Sequence, residues 1–216
     1  MLKKLPFLLV MCALCMWAAD FWTAKPFTDW NEKEIVKMLS DSPWTGKVTV
    51  SGGVAAFAGP SGGGGGDFGG GGGGGISVTL LWQTALPVKQ ALVKRQFGAE
   101  AGTSPDAKAR LERPDQVYVL TLLGMPAFTL GAAQGDKKAA LLDATMLTAG
   151  GKPPLKPVDV QVSGGRGPGN VSFLFPRTTT FTADDKDVEF STKFDKTTIK
   201  HKFKLKDMVF NGKVEM

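Results

Sequence analysis

Two stretches near the carboxyl end alternate strictly along the chain, and this alternation constrains the fold more than any other feature. One parity holds Val188, Phe190, Thr192 and Phe194 in the first stretch, and Ile199, His201, Phe203 and Leu205 in the second. A period of two places one set of side chains on a core and the other in water. The pattern predicts two antiparallel strands joined by a loop at residues 195–198. They belong to a carboxyl-terminal antiparallel meander. Residues 171–175 begin this meander, and a third run that contains Asn211–Gly212 ends it.

Shorter periodic stretches fill much of the remaining chain. Strands are predicted at 46–51, 76–84, 116–123 and 158–163, helices at 27–39 and from Leu86, a loop at 98–114, and a helix passing into a strand at 136–147. We therefore expect an α+β fold. It is mainly antiparallel β-sheet with an N-terminal helix and one further helix, and a β-sandwich with peripheral helices is the alternative.

The predicted N-terminal helix spans residues 27–39. Asp29 is the expected N-cap, and Glu32 three residues later completes a capping-box pattern. The helix should bury Ile35, Met38 and Leu39 and stop before Ser42–Pro43. The tryptophans around it, Trp22, Trp30 and Trp44, fit either an aromatic ligand platform or anchors that fix the helix to the domain, and we favour the anchors.

Residues 1–19 have the pattern of a signal peptide. Lys3 and Lys4 precede an apolar stretch too short to span a bilayer as a helix, and Ala18–Ala19 offers a cleavage site. An uncleaved anchor is the alternative. Both cysteines lie in this segment. Its removal would leave 24 basic against 20 acidic residues, a net charge of +4 that argues little about partners. We expect an exported protein, periplasmic or extracellular.

Residues 52–75 form a tract with 15 glycines. A phosphate-binding loop of the Walker type requires Gly-Lys-Ser/Thr, and the tract contains no lysine. Its composition predicts a flexible, disordered loop. The expected organisation is therefore a signal peptide at 1–19, the N-terminal helix and first strand at 20–51, the disordered loop at 52–75, and the rest of a single β-rich domain at 76–216.

Three groups of residues carry a family resemblance. They are Trp30, Glu34 and Leu39 with residues 41–44; Trp82 with residues 85–87 and 91–92; and residues 203–208 with 212–215. Together they resemble a group of uncharacterised exported proteins from Acidobacteria-type genomes, some described as GWxTD domain-containing. The resemblance covers most of the chain outside the glycine-rich tract. It implies export and a bacterial source, and it assigns no site.

Residues suited to catalysis or metal binding are few. His201 is the sole histidine and shares its parity with packed residues, which favours a structural role. An acidic cluster at Asp184, Asp185, Asp187 and Glu189 fits a solvated turn better than a calcium loop, since glycine is missing from the sixth position. Paired carboxylates could serve an exported hydrolase, and this is our alternative function. We expect no cofactor, no metal site and no assigned catalytic residue.

The most distinctive surface feature is a set of lysines on the polar parity of the last two long strands. We call it the lysine-rich face, and it comprises Lys193, Lys200, Lys202, Lys204 and Lys206. It could be a solvated face that discourages aggregation, or it could contact anions. Nucleic acid is disfavoured as the partner because no aromatic residues interleave with these lysines. The preferred function is a non-catalytic envelope protein that binds or scaffolds, with a cell-envelope component or anionic polymer as partner.

Overall fold

The computed structural model describes residues 20–51, 75–164, 167–194 and 197–216. The signal peptide predicted at 1–19 and residues 52–74 of the disordered loop predicted at 52–75 lie outside the described residues. Gly75, which the sequence assigned to that loop, is the first residue of a strand. Among the described residues, helix and antiparallel sheet are both abundant, which confirms the α+β class.

The regular elements are as follows. The strands are β1 (Thr45–Ser51), β2 (Gly75–Trp82), β3 (Val117–Met125), β4 (Met146–Ala149), β5 (Asp159–Ser163), β6 (Gly169–Pro176), β7 (Asp187–Phe194), β8 (Thr197–Lys204), β9 (Val209–Phe210) and β10 (Lys213–Val214). The helices are α1 (Phe21–Ala24), α2 (Glu32–Ser40), α3 (Leu86–Phe97), α4 (Pro105–Glu112), α5 (Ala127–Leu130) and α6 (Lys137–Asp143). Short 3-10 turns lie at Phe27–Asp29, Gly98–Gly102, Gly131–Ala133 and Ala183–Asp185.

The strands form two principal antiparallel sheets. The larger sheet has the order β1-β2-β3-β6-β5, and the smaller sheet has the order β4-β7-β8. β6 was expected to begin the final meander, and this was wrong because it pairs with β3 on one side and β5 on the other. Its burial alternates residue by residue. Alternation fixes which side chains point inward, whereas strand partners depend on long-range packing.

The two sheets enclose a core rich in aromatic rings. Phe173 of β6 packs against Phe190 and Phe194 of β7, with ring centroids 5.4 and 6.2 Å apart. Trp82 of β2 meets Phe203 of β8 edge to face at 5.3 Å. Edge-to-face geometry adds to the stability that burial of these rings provides. The predicted inward parity of β7 and β8 is therefore confirmed.

Helix α2 starts later than the sequence pattern suggested. Asn31, not Asp29, is the N-cap: its side chain accepts from the Glu34 backbone N–H at 3.0 Å. The Glu34 carboxylate accepts in turn from the Asn31 N–H at 2.8 Å, completing the capping box. Asp29 ends a 3-10 turn instead. Ile35, Met38 and Leu39 are buried as predicted, and so are the three flanking tryptophans, which agrees with their role as anchors.

The segment 98–114 was predicted to be a loop, and this was wrong. It contains a 3-10 turn and the helix α4. The Ser104 side chain caps α4 by accepting from the Ala107 N–H, and Pro105 occupies the first turn, where a missing N–H costs nothing. Ala107 packs with Val93 and Ala101 in a small second cluster. Proline and glycine here mark helix ends, which is why the segment resembled a loop.

The carboxyl-terminal strands differ from the prediction in their bounds and partners. Residues 197 and 198, which were predicted to belong to the loop, are part of β8, where they pair with Phe194 and Lys193; residues 195 and 196 lie outside the described residues. The last run forms its own hairpin of β9 and β10 instead of a third strand beside β8. Its turn residues Asn211 and Gly212 have φ of 50° and 76°, the left-handed values that a tight hairpin turn requires.

Candidate functional site

The lysine-rich face lies on the outer side of the smaller sheet. Lys200, Lys202 and Lys204 are exposed and alternate along β8 with the buried Ile199 and Phe203. A strand rises about 3.3 Å per residue, so neighbouring lysines of this row start roughly 7 Å apart along the strand. The spacing favours simultaneous contact with several anionic groups on a flat surface.

The lysine-rich face has two further lysines, and only one of them continues the row along β8. Lys206 is exposed in the turn that follows β8, and thus continues the row. Lys193 is exposed on β7, opposite Thr198, at the other end of the hairpin. There it borders a depression of about 320 Å³ with Lys137 and Leu141 of α6. The compact part of the face is therefore the β8 row with Lys206, and Lys193 lies at its margin.

Acidic side chains share this face. Glu189 of β7 is directly opposite Lys202, and its carboxylate lies 3.8 Å from the Lys202 ammonium and 3.6 Å from that of Lys200. Asp187 is opposite Lys204. The two lysines that approach Glu189 are mostly exposed, and such ion pairs contribute little to stability. Five lysines against two carboxylates leave the face positive.

His201 has the structural position that its parity predicted. Its ring meets Phe203 edge to face at 4.6 Å and lies directly over Gly46 of β1, so close that a Cβ placed on Gly46 would clash with the imidazole. Burial lowers the pKa of its imidazole, because removal from water disfavours the charged form. Gly46 is thus the point where the larger sheet approaches β8.

The acidic cluster of the 3-10 turn is engaged in local structure. Asp185 accepts from the backbone N–H of Thr182 at 2.7 Å and pairs with Lys152, and these contacts lower the pKa of its carboxyl group, the lysine contributing most. A depression of about 440 Å³ runs from Asp185 past Asp187 to Glu189. Across the parts of the chain that the structure describes, no group of three or more histidine, cysteine or acidic side chains could hold a metal ion.

Another concave surface was not predicted from the sequence. We call it the α3 cleft: it lies between helices α3 and α4 and the adjoining ends of β2 and β3, and has a volume of about 250 Å³. Its residues relevant here are Gln83, Thr84, Lys89, Leu92, Arg110 and Val119. A depression of about 230 Å³ continues from it across the outer side of the larger sheet, sharing Gln83 and Leu92.

The α3 cleft depends on pairings that periodicity does not reveal. Thr121 donates to the Gln83 side-chain oxygen at 2.7 Å and is 2.9 Å from the Ser172 hydroxyl, so side-chain hydrogen bonds link β3 and β6 to the residue that follows β2. Thr121 of β3 and Ser172 of β6 are directly opposite each other in the strand register. Their neighbours could not be known without the strand order, and the segment that carries Arg110 had been interpreted as a loop.

No helix among the described segments is long and apolar enough to cross a membrane. Comparison with known proteins found no match to a family model, to a curated protein or to a solved structure.

Proposed function

We propose that this protein is an exported, non-catalytic component of the bacterial cell envelope that contacts an anionic surface through its lysine-rich face. The single observation that carries the proposal is the row of exposed ammonium groups on β8, continued by Lys206. Long-range attraction to a negatively charged surface increases with the number of such groups and decreases as salt screens them. The bacterial and exported parts of the proposal rest on the resemblance to exported GWxTD-type proteins and on the signal-peptide pattern of residues 1–19.

The exported hydrolase remains the weaker alternative. Its general acid would need a carboxyl group whose pKa is raised by burial or by a second carboxylate. The shifted carboxyl groups of the described residues, Glu34, Asp159 and Asp185, all have a lowered pKa, and each is hydrogen-bonded to a lysine. These lysine contacts stabilise the charged form. A carboxyl group held in its charged form is suited to a structural ion pair and unsuited to donating a proton in catalysis.

The test is binding of the full chain to vesicles of phosphatidylglycerol, with vesicles of phosphatidylcholine as the neutral reference. We expect binding to the anionic vesicles at low salt and its loss as the Debye length shrinks from about 10 Å to about 3 Å. Replacing Lys200, Lys202, Lys204 and Lys206 with Gln should remove most of this binding, because each lysine near such a surface contributes about 1 kcal/mol.

The matched control replaces the same number of exposed lysines elsewhere, Lys33, Lys37, Lys108 and Lys213, with Gln. Both variants have the same net charge, so only the position of the lysines differs. Circular dichroism should show that both remain folded. Equal loss in the two variants, or no binding by the unmodified chain at low salt, would refute the proposed contact surface.

A further inference from the structure

The α3 cleft is rich in hydrogen-bond donors. The Arg110 guanidinium donates to the side chain of Gln96 and lies over the Phe97 ring at 5.5 Å, with no carboxylate partner among the residues the structure describes. The Lys89 ammonium is held 3.0 Å from the Asp115 carboxylate. A guanidinium has five N–H donors, so donors remain at Arg110 after the contact with Gln96.

Two uncharged side chains add donors to the same wall. The Thr84 hydroxyl oxygen accepts from the Val119 backbone N–H at 3.3 Å, which leaves the hydroxyl hydrogen free to donate to a ligand. Thr84 is only 7% exposed, so this position is fixed by the fold. The Gln83 side-chain oxygen is occupied by Thr121, and its amide NH₂ is therefore the group left for a ligand. Asp115 and Gln96 also line the cleft, but the Asp115 carboxylate is engaged by Lys89 and the Gln96 oxygen by Arg110, so the groups left for a ligand are mainly donors.

The lining of the cleft is also apolar in part. Leu92 of α3 and Val119 of β3 line it, together with the buried Val93. A ligand that matches both parts carries negative charge at one end and an apolar body at the other. The volume of about 250 Å³ limits that body to roughly the size of one ring or a short acyl chain.

We propose that the α3 cleft binds a small organic acid, with its carboxylate on the Arg110 guanidinium and its apolar body against Leu92 and Val119. Arginine suits this role because its planar fork matches the two oxygens of a carboxylate. None of the residues of the lysine-rich face line the cleft. The proposal is therefore independent of the proposed function, and either can fail without the other.

The test is a titration of the isotope-labelled full chain with benzoate, followed by amide chemical shifts in NMR spectra. We expect saturable shifts confined to the neighbourhood of Gln83, Thr84 and Val93. Benzyl alcohol, which keeps the ring and lacks the charge, should bind at least tenfold more weakly. Galacturonate, which keeps the carboxylate and replaces the apolar body with hydroxyl groups, should also bind at least tenfold more weakly.

Arg110→Gln should weaken benzoate binding by tenfold or more, as expected for loss of a charge-assisted hydrogen bond. Arg113→Gln is the matched control, since Arg113 is exposed at the end of the same helix, carries the same charge and does not line the cleft. Leu92→Trp should block the cleft without a change of charge. Thermal unfolding checks that all three variants are folded.

Three results would overturn the proposal. They are the absence of saturable benzoate binding to the unmodified chain, equal weakening by Arg110→Gln and Arg113→Gln, and binding of galacturonate or benzyl alcohol as tightly as benzoate. Loss of vesicle binding in the lysine variants has no bearing on this outcome, so the two proposals are separable.

Discussion

The outer sides of the two sheets are built differently. On the smaller sheet, β8 presents an exposed row of lysine side chains, and the Glu189 carboxylate lies within 4 Å of two of them, Lys200 and Lys202. On the larger sheet, α2 and α3 pack against each other and α2 packs against β1 and β2, and the α3 cleft lies beside them. One surface is exposed and charged, and the other is concave and partly apolar.

This difference separates two modes of binding. A row of flexible ammonium groups attracts any extended anionic surface, and its affinity depends on salt more than on the shape of the partner. A cleft with fixed donors and an apolar wall selects a small ligand by its shape and by hydrogen bonds. Both surfaces rest on the same aromatic core, so a change in that core should affect them together.

The largest effect is expected at Gly46, where the two sheets approach each other. Gly46→Ala would place a methyl group against the ring of His201, and overpacking of this kind costs about 1–3 kcal/mol in the free energy of unfolding. Chemical denaturation should show the loss as a single transition, with vesicle binding and benzoate binding lost together. Separate transitions for the two binding activities would contradict a shared core.

A matched glycine sharpens this experiment. Gly131 has nothing within 4 Å of the added methyl group, and Gly131→Ala should change stability by no more than about 1 kcal/mol. The cost of Gly46→Ala should shrink in a His201→Ala background, because the three atoms nearest the added methyl group all belong to the imidazole ring. If the cost is the same in both backgrounds, the strain does not come from the imidazole ring.

A smaller effect is expected on the lysine-rich face alone. Glu189→Gln removes the carboxylate nearest to Lys200 and Lys202, which should raise affinity for anionic vesicles about fivefold at low salt, the equivalent of about 1 kcal/mol. Stability should change by less than about 1 kcal/mol, since the lysines are exposed. The control is Glu112→Gln on α4, an exposed acid away from this face. Equal gains in both variants would mean that net charge alone governs vesicle binding.

The smallest effect concerns pH and His201. Burial lowers the pKa of its imidazole below the ordinary value of 6.5, so the unfolded chain takes up a proton at higher pH than the folded protein does. The stability contribution is fully present above about pH 6.5 and is lost as pH falls from there towards the lowered pKa. The melting temperature should therefore decline as pH falls below about 6.5. His201→Gln should flatten that decline, and an unchanged slope would exclude His201 as its source.

The sequence predicted burial better than it predicted neighbours. The inward set of Val188, Phe190, Ile199 and Phe203 was correct, because a strand can hide only one of its two sides. The helix-to-strand transition at 136–147 was also correct, with α6 followed by β4. The helix α4 was missed because its Ser104-Pro105 start contains residues that are as common in turns as at helix N-termini.

The sequence alone determined the alternation of β7 and β8, the outward direction of the lysines and the inward direction of His201. These follow from local geometry, since successive side chains of a strand point to opposite sides whatever the strand pairs with. The tertiary structure alone decided that β6 joins β3 and β5, that Gly46 meets His201, and that α3, α4 and the larger sheet enclose a cleft. Those contacts join residues far apart in the chain, and the packing of the whole core selects them.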